Sequence, residues 1–264
     1  MRRIASLVMV SLVLAFGVTQ VGSVRAQSAT GTGLDLMDVD IMFIGAHPDD
    51  DTGIMATFAR YLLDEGYRGT VITLTGGEGG GNAIGRETGP ALGLIRQEEE
   101  RRSLAMVGVN SPQFIGLQDF YFSLSAEEVQ KHWGETWLCD VVRRVRLGRP
   151  EVILTMWPGP GTHGQHQMAA RAATMAFEKA GDPSYCRDQI TREFLQPFSP
   201  AKLYYYPSDP KGPGVVALPA DGFSPAAART HRGRSQPVPR DAHGANGRHG
   251  GQRRRARLWQ RLHP

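Results

Sequence analysis

A chain of 264 residues is long enough for one α/β domain of about 150–200 residues with a full core, plus extensions. Its net charge is +4, yet residues 229–264 hold ten arginines, no lysine and a single acid, Asp241; taking that +9 from the total leaves −5 for the preceding 228 residues. The body of the chain is therefore mildly acidic, and nothing in it argues for a nucleic-acid partner.

Residues 1–26 read as a secretory signal. Arg2 and Arg3 supply the charged start, Ile4 to about Phe16 the apolar stretch, and Val24-Arg25-Ala26 a small-residue cleavage site. That apolar stretch is short of the ~20 residues a membrane span needs, which sets an uncleaved anchor second. The absence of a cysteine near the cut argues against a lipoprotein. The expectation is a secreted or periplasmic protein with no membrane span after cleavage.

A Ser/Thr/Gly linker leads to about residue 33, and a domain is expected over 34–215. Strands are predicted at 39–45, 70–75, 113–116, 151–156 and 202–206. Helices are predicted at 52–65, 91–107, 126–147 with a break at Gly134, and 164–180. Gly66 and Gly108 stand where helix C-caps belong. This alternation predicts an α/β fold with a mostly parallel sheet flanked by helices.

Residues 76–93 contain eight glycines between a strand and a helix. They lack the Gly-Lys-Ser/Thr ending of a nucleotide loop and the spacing of a dinucleotide site, so they are read as a flexible loop beside a site at the carboxyl ends of the strands. Cys139 and Cys186 can pair in an oxidising compartment or lie buried as small apolar residues. Residues 216–264 are expected to be irregular to disordered; their Arg/Gly/His/Pro composition cannot bury a core and reads like a frameshifted GC-rich coding strand, the alternative being a genuine basic tail.

Two motifs carry the chemistry. Ile44-Gly-Ala-His-Pro-Asp-Asp-Asp51 follows an apolar strand, and His163-Gly-Gln-His166 opens an Ala-rich helix. His47 and Asp50 stand three apart at a strand-to-helix turn stiffened by Pro48, so imidazole and carboxylate can converge on one ion while Asp49 stays off it. His163 and His166 are likewise three apart, so one can ligate while the other faces substrate. Two imidazoles, one carboxylate and an open position suit a divalent metal that activates water.

Ala46-His-Pro-Asp-Asp50, Thr73-Leu-Thr-Gly-Gly-Glu-Gly-Gly80, Arg96-x-x-Glu99, Gly116-Leu-Gln-Asp119 and His163-x-x-His166 together resemble the PIG-L/LmbE-like N-acetylglucosaminyl deacetylases, over residues 38 to about 206. The resemblance implies a Rossmann-like fold, a catalytic Zn²⁺, and removal of acetyl from an N-acetylated sugar or glycoconjugate. It implies His47, Asp50 and His166 as metal ligands, Asp49 as general base, and His163 as an imidazolium that steadies the oxyanion. Glu78, Arg96 and Asp119 match positions near the sugar. Two residues depart from the family pattern: Asp51 replaces a glutamate, and Gln165 replaces an aspartate that would favour a charged His163. The competing readings are a non-haem iron enzyme, whose scaffolds are usually β-barrels, and a non-catalytic or vestigial carbohydrate-binding protein of the same fold.

Overall fold

A computed structural model describes residues 37–205 and the backbone of two short strands beyond them, Phe223–Ser224 and Arg229–Thr230. The expected signal at 1–26, both domain ends and most of the Arg-rich tail lie outside the described residues. Within 216–264, those two short strands pair antiparallel.

Five strands form one sheet: β1 Ile41–Gly45, β2 Gly69–Thr75, β3 Gln113–Leu117, β4 Val152–Thr155 and β5 Lys202–Tyr205. Their order is β3-β2-β1-β4-β5, and every neighbouring pair is parallel. β1 is buried along its whole length, as a central strand covered on both faces must be. The chain builds outward from β1 to one edge, then returns to lay β4 on β1's other side. That reversal opens a crevice at the carboxyl ends of β1 and β4, where open α/β sheets bind ligands.

Each face of the sheet has its own core. Met42 and Ile44 of β1 point to the face covered by α3 Ala126–Trp133, α4 Leu138–Gly148 and α5 Gly164–Lys179. Ala169, Ala172, Ala173 and Ala176 line the buried side of α5, so its backbone lies close to the strands. Ile41 and Phe43 point to the opposite face, covered by the segment after β1 and by Leu104 near the end of α2 Gly89–Ala105.

The predicted helix at 52–65 is not one regular helix. Asp50–Gly53 make a 3-10 turn, Met55–Phe58 one α-helical turn (α1), and Ala59–Asp64 a π-helical stretch. The Asp50 carboxylate accepts the backbone N–H groups of Ala46 and His47, which tightens the start into the 3-10 turn. At the far end, Glu65 N bonds to Arg60 O; the wider turn keeps Phe58, Tyr61 and Leu62 against the sheet. The predicted break at Gly134 is present, since α3 ends at Trp133 and α4 begins at Leu138. A short helix not anticipated, α6 Asp188–Thr191, follows α5.

Cys139 and Cys186 form a disulfide joining α4 to the segment after α5. Beside it, the buried Arg146 guanidinium donates to the carbonyls of Ala180, Asp182 and Tyr185 and to Gln189 Oε1. With the Cys186 carbonyl at 3.5 Å, five neutral acceptors stand in for a carboxylate, although burial still pulls the guanidinium pKa down. Among the described residues, no helix is long and apolar enough to cross a membrane.

Candidate active site

Four loops leave the carboxyl ends of β1, β2, β3 and β4, and each brings predicted site residues to one place. The turn after β1 carries His47, Asp49 and Asp50; the loop after β2 carries Glu78; that after β3 carries Asp119; that after β4 leads to His163 and His166. Arg96 reaches the same place from α2.

His47 Nδ1 lies 3.1 Å from His166 Nε2 and 3.7 Å from an Asp50 oxygen, and the other Asp50 oxygen is 3.3 Å from His166 Nε2. Donor atoms bound at 2.0–2.2 Å to one tetrahedral ion are about 3.3–3.6 Å apart. The three residues expected to share a metal present donors 3.1–3.7 Å apart, close to that spacing, with one Asp50 oxygen nearer each histidine. His47 Nε2 is 2.5 Å from Gln165 Oε1, an acceptor, so Nε2 carries a ring proton and Nδ1, on the side of Asp50 and His166, is the nitrogen a metal would take. A group behind the ligand that fixes its tautomer is a regular feature of metal sites. Two wider sets also converge within 4.8 Å: His47 with His163 and His166, and His47 with Asp49 and Asp50.

Charge follows the same arrangement. Burial alone would lower the His47 pKa, but hydrogen bonding and charge from Asp50, with help from Gln165, raise it above 6.5. Burial alone would raise Asp50, but His47 and then His166 hold it below 3.8. His163 is lowered, first by burial and then by His47 and His166. His166 is lowered by burial, against the pull of Asp50.

The expectation for His163 and Gln165 needs correction. Gln165 reaches His47 with its side chain, not His163. Its backbone N–H donates to His163 Nδ1 at 3.1 Å, where His163 caps the start of α5. Nδ1 must then carry a lone pair, and this with the lowered pKa makes His163 a neutral imidazole with its proton on Nε2. An imidazolium would set two N–H groups against each other.

The three residues matched to the sugar site hold one another. Glu78 Oε1 accepts the Asp119 backbone N–H, and Asp119 Oδ2 accepts that of Gly79. Asp119 Oδ1 also lies 3.8 Å from His47 Nε2. Arg96 pairs with Asp49 at 3.1 Å and donates to the Gly77 carbonyl at 2.9 Å. The glycine-rich loop is thus ordered by these bonds at its strand end.

Sequence reasoning missed two groups. Glu100, not Glu99, is the buried acid of α2; it accepts from the Thr73 hydroxyl at 2.6 Å, and its pKa is pushed up to about 8, chiefly by burial. It stands four residues after Arg96, one turn along the same helix face, a spacing that could have found it. The half-missed companion is Asp51, noted only as a departure: it is buried, and burial with the charges of Asp50 and Asp49 raises it to about 6. The second miss is the exposed Phe122, whose ring centre is 4.8 Å from that of His163.

Comparison with known proteins adds to this geometry. The family model PIG-L, GlcNAc-PI de-N-acetylase, matches residues 42–177. The chain is 32% identical over 217 residues to a Streptomyces avermitilis protein named 1D-myo-inositol 2-acetamido-2-deoxy-alpha-D-glucopyranoside deacetylase, covering 74% of this chain and 72% of that one. It is 34% identical over 166 residues to a Thermobifida fusca protein of the same name, covering 56% and 57%. A Streptomyces coelicolor mycothiol S-conjugate amidase is 29% identical over 184 residues, covering 62% and 59%. Apart from the first, these relatives are matched over little more than half their length. Among solved structures, the N,N'-diacetylchitobiose deacetylase of Pyrococcus horikoshii shares the fold, with a TM-score of 0.50, 21% identity, and coverage of 61% of this chain and 57% of that one.

Proposed function

The chain belongs to the PIG-L, GlcNAc-PI de-N-acetylase, family, and we propose that it is a secreted, zinc-dependent hydrolase that removes an acetyl or other acyl group from an N-acetylglucosamine-type amide. The observation that carries this reading is the convergence of His47 Nδ1, His166 Nε2 and Asp50, with Gln165 behind His47. The named activities of the relatives, deacetylases of an acetamido sugar and an amidase, support the substrate class.

His47, Asp50 and His166 would hold the zinc. When bound, that ion supplies Lewis acidity, which acidifies water and polarises an acyl oxygen. The chain's own groups do the rest. Asp49 accepts the proton of the attacking water, having a carboxylate beside the ligand set without being one of the three. His163 donates its Nε2 proton as a hydrogen bond to the acyl oxygen as negative charge develops there. Asp49 then returns its proton to the amine nitrogen as the C–N bond breaks; the released carboxylic acid gives up its hydroxyl proton to that amine, leaving a carboxylate and an ammonium group. Glu78, Arg96 and Asp119 form the wall on which the sugar hydroxyls would bind.

The α/β scaffold speaks against the iron-oxygenase alternative. Export rests on the leader at 1–26, and the Cys139–Cys186 bond suits an oxidising compartment. Intact mass of exported material is expected to place the mature start near Gln27. The decisive test is acetate release from a panel of N-acetylated sugars by zinc-loaded protein, abolished by a chelator and restored by zinc. A metal-replete protein that binds these sugars and releases no acetate would instead be the non-catalytic carbohydrate binder.

A further inference from the structure

Asp49 and Asp50 compete for the same ion. One donor atom from each of His47, Asp49 and Asp50 lies within 4.8 Å of the others, so a cation beside His47 is in reach of both carboxylates. Ligation by both would leave neither free to take a proton from water. The two side chains are sorted by different partners. Asp50 is turned inward by the backbone N–H groups of Ala46 and His47. Asp49, at 66% side-chain exposure, is drawn to Arg96, whose guanidinium lies 3.1 Å away.

Arg96 is itself fixed. The same guanidinium donates to the Gly77 carbonyl at 2.9 Å. Gly77 has φ +71, and a Cβ there would stand 2.4 Å from Arg96 Nη1 and 2.9 Å from the Pro48 ring; a Cβ at Gly80 would stand 2.9 Å from Nη1. A side chain at either glycine would thus crowd the guanidinium, and one at Gly77 would also meet the proline of the ligand turn. The guanidinium bridges α2, the glycine-rich loop and the turn after β1.

We propose that Arg96 is a positioning residue that holds Asp49 off the metal and so keeps one carboxylate of the pair available as base. This rests on the metal-site reading above. It gives Arg96 a task in the empty enzyme, before any sugar arrives, and gives the lack of side chains at Gly77 and Gly80 a purpose.

The test is a double-mutant cycle on zinc affinity, measured by chelator competition, with the visible spectrum of the cobalt(II)-substituted protein as second readout. Arg96→Met is expected to tighten zinc binding roughly ten-fold, the scale at which groups behind a ligand set act. Its cobalt(II) bands should weaken as a further carboxylate joins the ion. Asp49→Asn alone is expected to leave affinity near wild type, and in the Arg96→Met background to cancel both changes. Arg96→Lys, which keeps the charge and a donor, should stay near wild type. Mere loss of a positive charge would tighten binding equally with and without Asp49 and leave the cobalt spectrum unchanged; that result overturns the proposal, as does weaker zinc binding in a folded Arg96→Met. Should Arg96→Met fail to fold, Arg96→Gln carries the same comparison. Wild-type protein that retains no zinc overturns the metal-site reading and this proposal together, whereas the other failures leave the metal site standing.

Discussion

His47 is engaged at both ring nitrogens, and the two engagements depend on each other. Nε2 donates to Gln165, which leaves Nδ1, on the side of Asp50 and His166, as the nitrogen a metal would take. Replacing Gln165 by Leu removes that constraint and leaves a buried N–H unsatisfied. Zinc affinity is expected to fall about 10–100-fold, readable by chelator competition, while a Gln165 variant with unchanged affinity would show that the tautomer is fixed elsewhere. His166→Ala should lower affinity by at least as much, and stoichiometric zinc in that variant would mean a different ligand set. Asp49→Asn should keep zinc and the fold but lose about 10²–10⁴-fold in turnover; near wild-type turnover in the metal-replete variant would end the hydrolase assignment as drawn. The ligand candidates were readable from two motifs taken together, since an aspartate run after a strand is often only a helix cap and a histidine pair is often surface decoration. The targets of Gln165 and Glu100 were not, because a neutral amide or an acid on a helix acquires its meaning only from what the fold lays over it.

The strands were legible to within two residues at each end, because a parallel sheet covered on both faces demands unbroken apolar runs such as Ile41–Ile44. The segment after β1 was not, because its hydrogen bonding answers to the Asp50 carboxylate and to Tyr61 and Leu62 against the sheet rather than to helix propensity. The pairing of Cys139 with Cys186 was likewise open in the sequence, since nothing local brings residues 47 apart together. α4 packs on the sheet through Val141, Val142 and Val145, while its neighbour α5 leads into the turn bearing Cys186, and so the two cysteines meet. In the chain-entropy account, closing a loop of that length stabilises by about 4 kcal/mol. Cys139→Ser/Cys186→Ser is therefore expected to lose ~2–4 kcal/mol in urea denaturation, less than a collapse of the fold because Arg146 still grips the same segment. A denaturation midpoint indifferent to reductant would show that the bond adds nothing.

The whole molecule carries an electrostatic burden at its site, and that burden makes stability depend on pH. Glu100 is 2% exposed, one of its oxygens has no hydrogen-bond partner, and its pKa rises from 4.5 to about 8, chiefly through burial and then through the charges of Asp51, Asp50 and Asp49. A carboxyl raised in this way takes up a proton when the chain folds. Below pH 4.5 it is neutral folded and unfolded, and adds no pH dependence. Between 4.5 and about 8 the unfolded chain is ionised while the folded one keeps its proton, so stability falls as pH rises; above about 8 the loss is complete. At 1.36 kcal/mol per unit the total is on the order of a few kcal/mol. Asp51, raised from 3.8 to about 6, acts in the same sense but only in the lower part of that window. Between pH 6.5 and 8 two groups act in the same sense: Glu100, and His47, whose pKa Asp50 raises above 6.5. Glu100→Gln keeps an oxygen for the Thr73 hydroxyl and removes the titration. Urea midpoints of the metal-free protein should fall across that interval more steeply in the wild type than in Glu100→Gln, which keeps only the His47 contribution, with the variant the more stable at its upper end. Equal slopes in the two proteins would place the proton elsewhere. Zinc loading should shift the wild-type window to lower pH, because a cation beside Asp50 offsets the very charges that help hold the Glu100 proton in place.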